Sequence, residues 1–97
     1  MKVAKSSGNV FLDLGFSPAE ARNLRMRSRM TAALQKFIDK QNLTQSEAAR
    51  RLKVTQPRIS DLTRGKIDRF SIDTLVNMLA DAGLDVDLRI KAGHTPN

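Results

Sequence analysis

The hydrophobic residues of the N-terminal half follow the spacing of an amphipathic helix. Four of them recur at i, i+4, i+7 and i+8, namely Met30, Leu34, Phe37 and Ile38. Ser17 and Glu20 can form a capping box, and Pro18 suits the first helical position. The pattern therefore predicts helix over residues 18–41, either as one continuous helix or as two with a bend near 27–29.

Three shorter helices are predicted beyond Asn42. Each begins at a residue whose side chain can cap a helix, in chain order Thr44, Thr55 and Ser71. Glu47 completes a second capping box, and Gly65 and Gly83 end the last two helices. Their inward residues share helical spacing: Ala48, Ala49 and Leu52, then Ile59 and Leu62, then Ile72, Leu75, Val76, Leu79 and Ala80.

The two ends of the chain carry shorter apolar patterns. Val10 to Phe16 is an apolar run that predicts a strand or an extended segment on the core. Leu84 to Lys91 alternates strictly between apolar and charged residues, which predicts a half-buried β-strand. Because a lone strand is unstable, it needs a partner, either residues 10–14 or the same strand of a second subunit. The expected fold is mainly α with four or five helices, in three parts: an extended arm over 1–16, a helical domain over 17–83, and a strand with a disordered tail over 84–97.

Composition removes several classes of function. The 97 residues fit one domain and include no cysteine, which excludes disulfides, thiolate zinc sites and cysteine nucleophiles. His94 is the only histidine, so catalytic triads and histidine metal clusters are excluded, and no metal or cofactor is expected. No apolar run approaches the roughly 18 residues of a membrane span, and the N-terminus lacks a signal peptide's apolar stretch. We expect a cytoplasmic binding domain rather than an enzyme or a membrane protein.

The positive charge is concentrated in the middle of the sequence. The whole chain carries 17 Lys and Arg against 10 Asp and Glu, a formal net charge of +7. Residues 25–66 hold eleven basic and three acidic residues, whereas residues 67–97 hold three basic and five acidic ones. This asymmetry indicates a surface that faces a polyanion.

The basic segment contains the pattern of a helix-turn-helix in residues 44–65. Two short helices are joined by a tight turn at Lys53 and Val54, and the small Ala49 lies where their axes cross. The outward face of the second helix then presents polar and charged residues: Gln56, Pro57, Ser60 and Asp61, flanked by Arg58 and Arg64. A row of hydrogen-bonding groups between cations suits entry into a DNA major groove.

This stretch resembles the helix-turn-helix of XRE regulators, the phage Cro/C1-repressor-like family with a lambda-repressor-like fold. The matching positions are Leu43-Thr44-Gln45, Ala49, Leu52, Val54-Thr55-Gln56, Ile59-Ser60, Leu62 and Arg64-Gly65. One departure is Lys53, where the family usually has a glycine with a left-handed backbone. A lysine in that conformation costs roughly 1 kcal/mol.

Both ends of the chain extend the resemblance to about residues 6–92. The segments SSGNVFLDLGF and SIDTLVNMLADAGLDVDLRIKA are similar to the HigA-type antitoxins of that family. The resemblance implies a repressor of its own operon that also neutralises a RelE/HigB-like ribonuclease toxin. The alternative is a stand-alone or phage-type XRE repressor without a toxin partner.

The candidate contacts follow from these helices and from the resemblance. The resemblance implies that Gln45 holds a phosphate, whereas the amide of Gln56 suits adenine and Arg58 suits guanine or a phosphate. Asp61 can approach the groove or pair locally with Arg58 or Arg64. The full set of predicted DNA-binding residues is Gln45, Thr55, Gln56, Pro57, Arg58, Ser60, Asp61, Arg64 and Lys66.

The expected partners are double-stranded DNA and a second copy of the chain. Two motifs about 34–36 Å apart fit successive major grooves, which predicts a homodimer on a palindromic operator. The dimer forms through either the last strand or the helix that begins at Ser71. Single-stranded RNA is disfavoured because its readers stack bases on aromatic side chains and this chain has four Phe, no Trp and no Tyr.

Overall fold

The computed structural model describes residues 9–92. They form five α-helices: α1 (Val10–Asp13), α2 (Pro18–Gln41), α3 (Gln45–Leu52), α4 (Gln56–Thr63) and α5 (Ile72–Asp81). A single turn of 3-10 helix at Ile67–Arg69 connects α4 to α5. The expectations for residues 1–8 and for the tail at 93–97, which includes His94, lie outside the described residues.

Hydroxyl side chains begin four of the helices, as their positions predicted. Ser17, Thr44, Thr55 and Ser71 are the N-cap residues of α2 to α5. Each side-chain oxygen accepts a hydrogen bond from the backbone N–H three residues later, at 3.1–3.4 Å. α2 is one continuous helix of 24 residues, so residues 18–41 are not divided in two.

The ends of the helices redirect the chain through left-handed residues. Asn42 follows α2 with φ 57°, and Lys53 follows α3 with φ 59°. In both turns the next amide bonds to the carbonyl five residues earlier, from Leu43 to Ile38 and from Val54 to Ala49. The left-handed conformation expected at Lys53 is therefore present, on a residue that carries a Cβ.

The hydrophobic core lies between α2 and the three helices that follow it. Its buried members are Leu34, Ile38, Ala48, Ala49, Leu52, Ile59, Leu62, Phe70, Leu75, Met78 and Leu79. The predicted inward face of α5 is partly wrong, because Val76 and Ala80 are exposed and Met78 is buried in their place. Within residues 9–92, no helix combines the length and apolar character needed to cross a bilayer.

The N-terminal segment differs from its prediction as a strand or extended arm. Residues 10–13 form the short helix α1 instead. Asn9 explains the difference, because its side chain accepts from the amide of Phe11 at 3.0 Å and donates to the carbonyl of Ala21 at 3.2 Å. Gly15, at φ 98°, then ends the turn, and Phe11 packs edge-to-face on Phe16. The N-terminal segment is therefore a capped helical turn and not a strand.

The C-terminal strand is absent from the single chain. Residues 84–92 form no strand, and residues 9–92 contain none anywhere. A strand requires a neighbouring backbone with free hydrogen-bonding groups, and the expected partner within the chain, residues 10–14, belongs to α1 and its end. The prediction of pairing with the N-terminal segment is therefore wrong.

Candidate nucleic-acid interface

The start of α3 is fixed by a complete capping box. The hydroxyl of Thr44 accepts from the amide of Glu47 at 3.1 Å, and the Glu47 carboxylate accepts from the amide of Thr44 at 2.8 Å. The hydrogen bond that the Glu47 carboxylate accepts from the Thr44 backbone is the main cause that holds the pKa of Glu47 below its ordinary value, and an interaction with the Thr44 side chain adds to it. Gln45 is the first residue of α3 and is exposed. Its side chain and first-turn amide lie at the positive end of the helix dipole.

The turn between α3 and α4 is tight, and it brings the two helices together. Lys53 and Val54 make the turn, and Thr55 caps α4. Ala49 is buried between the helices, consistent with its predicted place at their crossing. The turn is tied to α5 by an ion pair between Lys53 Nζ and an Asp81 carboxylate oxygen at 3.7 Å.

α4 divides into a buried edge and an exposed beginning. Ile59 and Leu62 are fully buried, and the carbonyl of Leu62 accepts a hydrogen bond from Gln35 of α2 at 2.7 Å. The first three residues of α4 are exposed: Gln56, Pro57 and Arg58. α4 is therefore held to the core by one side and presents its N-terminal turn to solvent.

Arg58 has partners within the protein. Its Nη1 donates to the carbonyl of Arg69 at 2.7 Å, and its guanidinium carbon lies 5.4 Å from the ring centroid of Phe70. Phe70 is buried and follows the 3-10 turn directly. Arg58 thus attaches α4 to that turn, a contact that sequence analysis did not predict. Its side chain remains partly open to solvent.

A second arginine, on α2, reaches the same turn. Arg27 of α2 donates from Nη1 to the carbonyls of Ile67 at 3.4 Å and Phe70 at 3.2 Å. The turn between α4 and α5 is therefore held by guanidinium groups from α2 and α4.

Asp61 is paired, but not with either of the partners considered for it. One of its carboxylate oxygens lies 3.6 Å from Nη1 of Arg69, whereas neither Arg58 nor Arg64 forms an ion pair with it. The left-handed Gly65 reverses the chain after α4 and allows Arg69, eight residues after Asp61 in the sequence, to return to it. Arg69 is a half-exposed cation beside α4 that sequence analysis missed, because its proximity depends on this reversal.

The remaining predicted residues lie around α4. Thr55 is exposed and its hydroxyl is engaged as the N-cap, while Ser60 is half-buried. Arg64 is exposed at the C-cap of α4, and Lys66 is half-buried just beyond it. The structure thus brings eight of the nine candidates together on α4 and its two ends, and places Gln45 at the start of the adjacent α3.

Comparison with known proteins identifies the family. A family model described as a helix-turn-helix domain matches residues 10–91. A solved structure described as a "Putative XRE Family Transcriptional Regulator" is 32% identical in sequence, with a TM-score of 0.71. The match covers 76% of this chain and 83% of the chain in that structure. No curated protein matches the sequence. The match over 10–91 and the structural likeness at this identity show that the chain belongs to the XRE family of helix-turn-helix regulators.

Proposed function

We propose that this chain is a sequence-specific, DNA-binding repressor of transcription that inserts α4 into the major groove. The observation that carries the proposal is the division of α4 into a buried edge and an exposed N-terminal turn. Gln56 leads that turn, and its amide can bond to N6 and N7 of adenine together. Pro57 beside it has no amide hydrogen and offers an apolar contact for a thymine methyl group.

Phosphate contacts on both sides of α4 would hold the helix in the groove. Gln45 offers its side chain and a first-turn amide from α3, and Arg64 and Lys66 offer cations beyond the other end of α4. Thr55 offers a methyl group to a thymine while its hydroxyl caps the helix. Ser60 and Asp61 are half-buried on α4, and we assign them the outer edge of the contact.

The working unit that we propose is a homodimer on a palindromic operator. One α4 of eight residues reaches only a few base pairs, and two copies about 34–36 Å apart read successive major grooves on one face of the duplex. Phosphate neutralisation makes the affinity fall steeply with salt concentration.

Selection from a randomised duplex library with the full chain tests the DNA-binding proposal. We expect a palindromic consensus, and on that duplex Gln56→Ala should weaken binding about 5- to 150-fold per half-site. Gln41→Ala is the matched control, because Gln41 is an exposed amide at the end of α2, outside α4. Equal loss in both variants, or no consensus at all, contradicts the assignment of α4.

A second function, neutralisation of a RelE/HigB-like ribonuclease toxin, is favoured by the surface of α1. Val10, Leu12, Leu14 and Phe16 are all exposed, although α1 and its end are tied to α2. Packing within the chain does not account for four exposed apolar residues in seven positions, whereas a protein partner does. The alternative, a stand-alone repressor without a toxin, provides no binding partner for this surface.

Co-expression with the toxin-like product of a neighbouring reading frame tests this second function. Val10→Ser with Leu14→Ser should abolish growth rescue and retain operator binding, since both residues are exposed. Gln56→Ala should do the reverse and serves as the matched control. Unchanged rescue by the double variant, or the lack of any toxin-like neighbour, contradicts the antitoxin proposal and favours a stand-alone repressor.

A further inference from the structure

The segment after α5 leaves the body of the protein with its apolar residues increasingly exposed. The exposed fraction rises from 37% at Leu84 and 45% at Val86 to 80% at Leu88 and 84% at Ile90. Strict alternation with charged residues puts these four side chains on one face of an extended segment. The face is partly covered at its start and is uncovered at its end.

The covered part lies on a groove between α2 and α5. Met26 and Met30 of α2 and Val76 of α5 line this groove of about 590 Å³ together with residues 84–88. Met26 and Val76 are themselves exposed large apolar side chains. A two-stranded ribbon is marginal in water, but this groove supplies an apolar surface on which one strand of such a ribbon can pack.

The charges along the segment are complementary to a second copy of the same segment. In an antiparallel pair related by a two-fold axis, residues equidistant from the central residue lie opposite one another. With Leu88 at the centre, Asp87 lies opposite Arg89 and Asp85 lies opposite Lys91, each pair twice. Opposite charges at directly facing positions stabilise a sheet.

Other registers are less favourable. A centre between two residues pairs apolar with charged side chains and destroys the apolar face. A centre at Asp87 or Arg89 places that residue opposite its own copy, and a centre at Val86 or Ile90 sets two like charges opposite each other. Only the centre at Leu88 pairs every charged residue of the segment with an opposite charge.

We infer that residues 84–92 pair antiparallel with the same residues of a second copy, centred on Leu88, and so form the dimer interface. The inference rests on the proposed homodimer and assigns the centre of its interface to the C-terminal segment rather than to α5 alone. Val86 and Ile90 then lie opposite each other on the apolar face, and the start of each strand stays on its own α2–α5 groove. The four charged residues form the other, solvated face of the ribbon.

Cysteine cross-linking of the full chain tests the register, because the protein has no cysteine of its own. Facing residues have Cα atoms about 4.5–5.5 Å apart, within disulfide range. Leu88→Cys should therefore form a covalent dimer in a glutathione redox buffer. Val86→Cys and Ile90→Cys are the matched controls, because each lies four residues, or roughly 13 Å, from its own copy in this register. Neither should cross-link alone, whereas an equimolar mixture should give the mixed dimer.

Charge exchange tests the same register without a covalent bond. Arg89→Asp and Asp87→Arg each create two like-charged pairs and should weaken the homodimer about fivefold or more in sedimentation equilibrium. A mixture of the two variants restores both opposite-charge pairs and should form a heterodimer with the stability of the parent protein.

Sedimentation of the parent protein separates failure of the register from failure of the dimer. A parent chain that stays monomeric at several hundred micromolar overturns both the dimer and the inferred interface. A dimeric parent whose Leu88→Cys variant does not cross-link, or cross-links no better than Val86→Cys alone, overturns the interface and leaves the proposed DNA-binding dimer standing.

Discussion

Substitution of Arg58 by alanine should weaken both the fold and DNA binding. Its Nη1 donates to the carbonyl of Arg69 at 2.7 Å, and its guanidinium lies over the ring of Phe70. A hydrogen bond from a charged donor contributes about 1.5–3 kcal/mol when it is shielded from water, and this one is exposed, so we take about 1 kcal/mol. The cation–π contact adds about 0.5–1 kcal/mol at an exposed site. Together they predict a loss of about 1.5–2 kcal/mol in the free energy of unfolding.

Thermal denaturation followed by circular dichroism measures this loss. A domain of this size shifts by about 4–8 °C per kcal/mol, so we expect Arg58→Ala to lower Tm by roughly 6–16 °C. Arg64→Ala is the matched control, because Arg64 is an exposed arginine at the end of the same helix, outside both ion pairs found in residues 9–92. Operator affinity should fall in both variants. An unchanged Tm for Arg58→Ala would refute the structural role and leave Arg58 as a DNA contact alone.

Three further substitutions test local features of the fold. The free energy of unfolding in urea should be about 1 kcal/mol higher for Lys53→Gly than for Lys53→Ala. Both variants lose the ion pair, but only glycine relieves the left-handed strain, so equal urea midpoints would contradict this prediction. Glu47 has a lowered pKa through its bonds to Thr44, so its stabilisation is complete above the ordinary glutamate pKa and is lost as pH falls through the lowered value. Glu47→Gln should therefore lose less stability than the parent protein between about pH 5 and pH 3. If the stability of both proteins falls equally over this range, the capping box is not the cause of the pH dependence. Asn9→Asp keeps the acceptor that caps α1 and removes the donor to Ala21, so hydrogen exchange of α1 should be faster than in the parent protein. Unchanged exchange would show that this donor does not hold α1 in place.

Local chemistry in the sequence was sufficient to predict most of the helices. A side-chain oxygen caps the backbone three residues away, so Ser17, Thr44, Thr55 and Ser71 could be identified from their immediate neighbours. The same reasoning applied to Asn9 would have found α1, but the apolar run that follows it favoured a strand.

Contacts between distant residues could not be predicted in this way. Arg27 reaches carbonyls 40 and 43 residues further along the chain, and Arg69 reaches Asp61 only because the chain reverses at Gly65. The C-terminal alternation shows a different limit. It predicts a strand from side-chain period alone, but a strand also needs a second backbone, and the described part of this chain offers none.

The contacts of the arginines change how the charge of residues 25–66 should be interpreted. The eleven basic residues of that segment give it a net charge of +8 and suggest a broad surface for phosphates. However, Arg27 and Arg58 bind backbone carbonyls, Arg51 lies 5.3 Å from the ring of Phe37, and Lys53 pairs with α5. A guanidinium that already serves the fold must give up that contact before it can neutralise a phosphate. We therefore expect each chain to neutralise fewer phosphates than the charge excess suggests, with Arg64 and Lys66 beyond α4 as the proposed contacts.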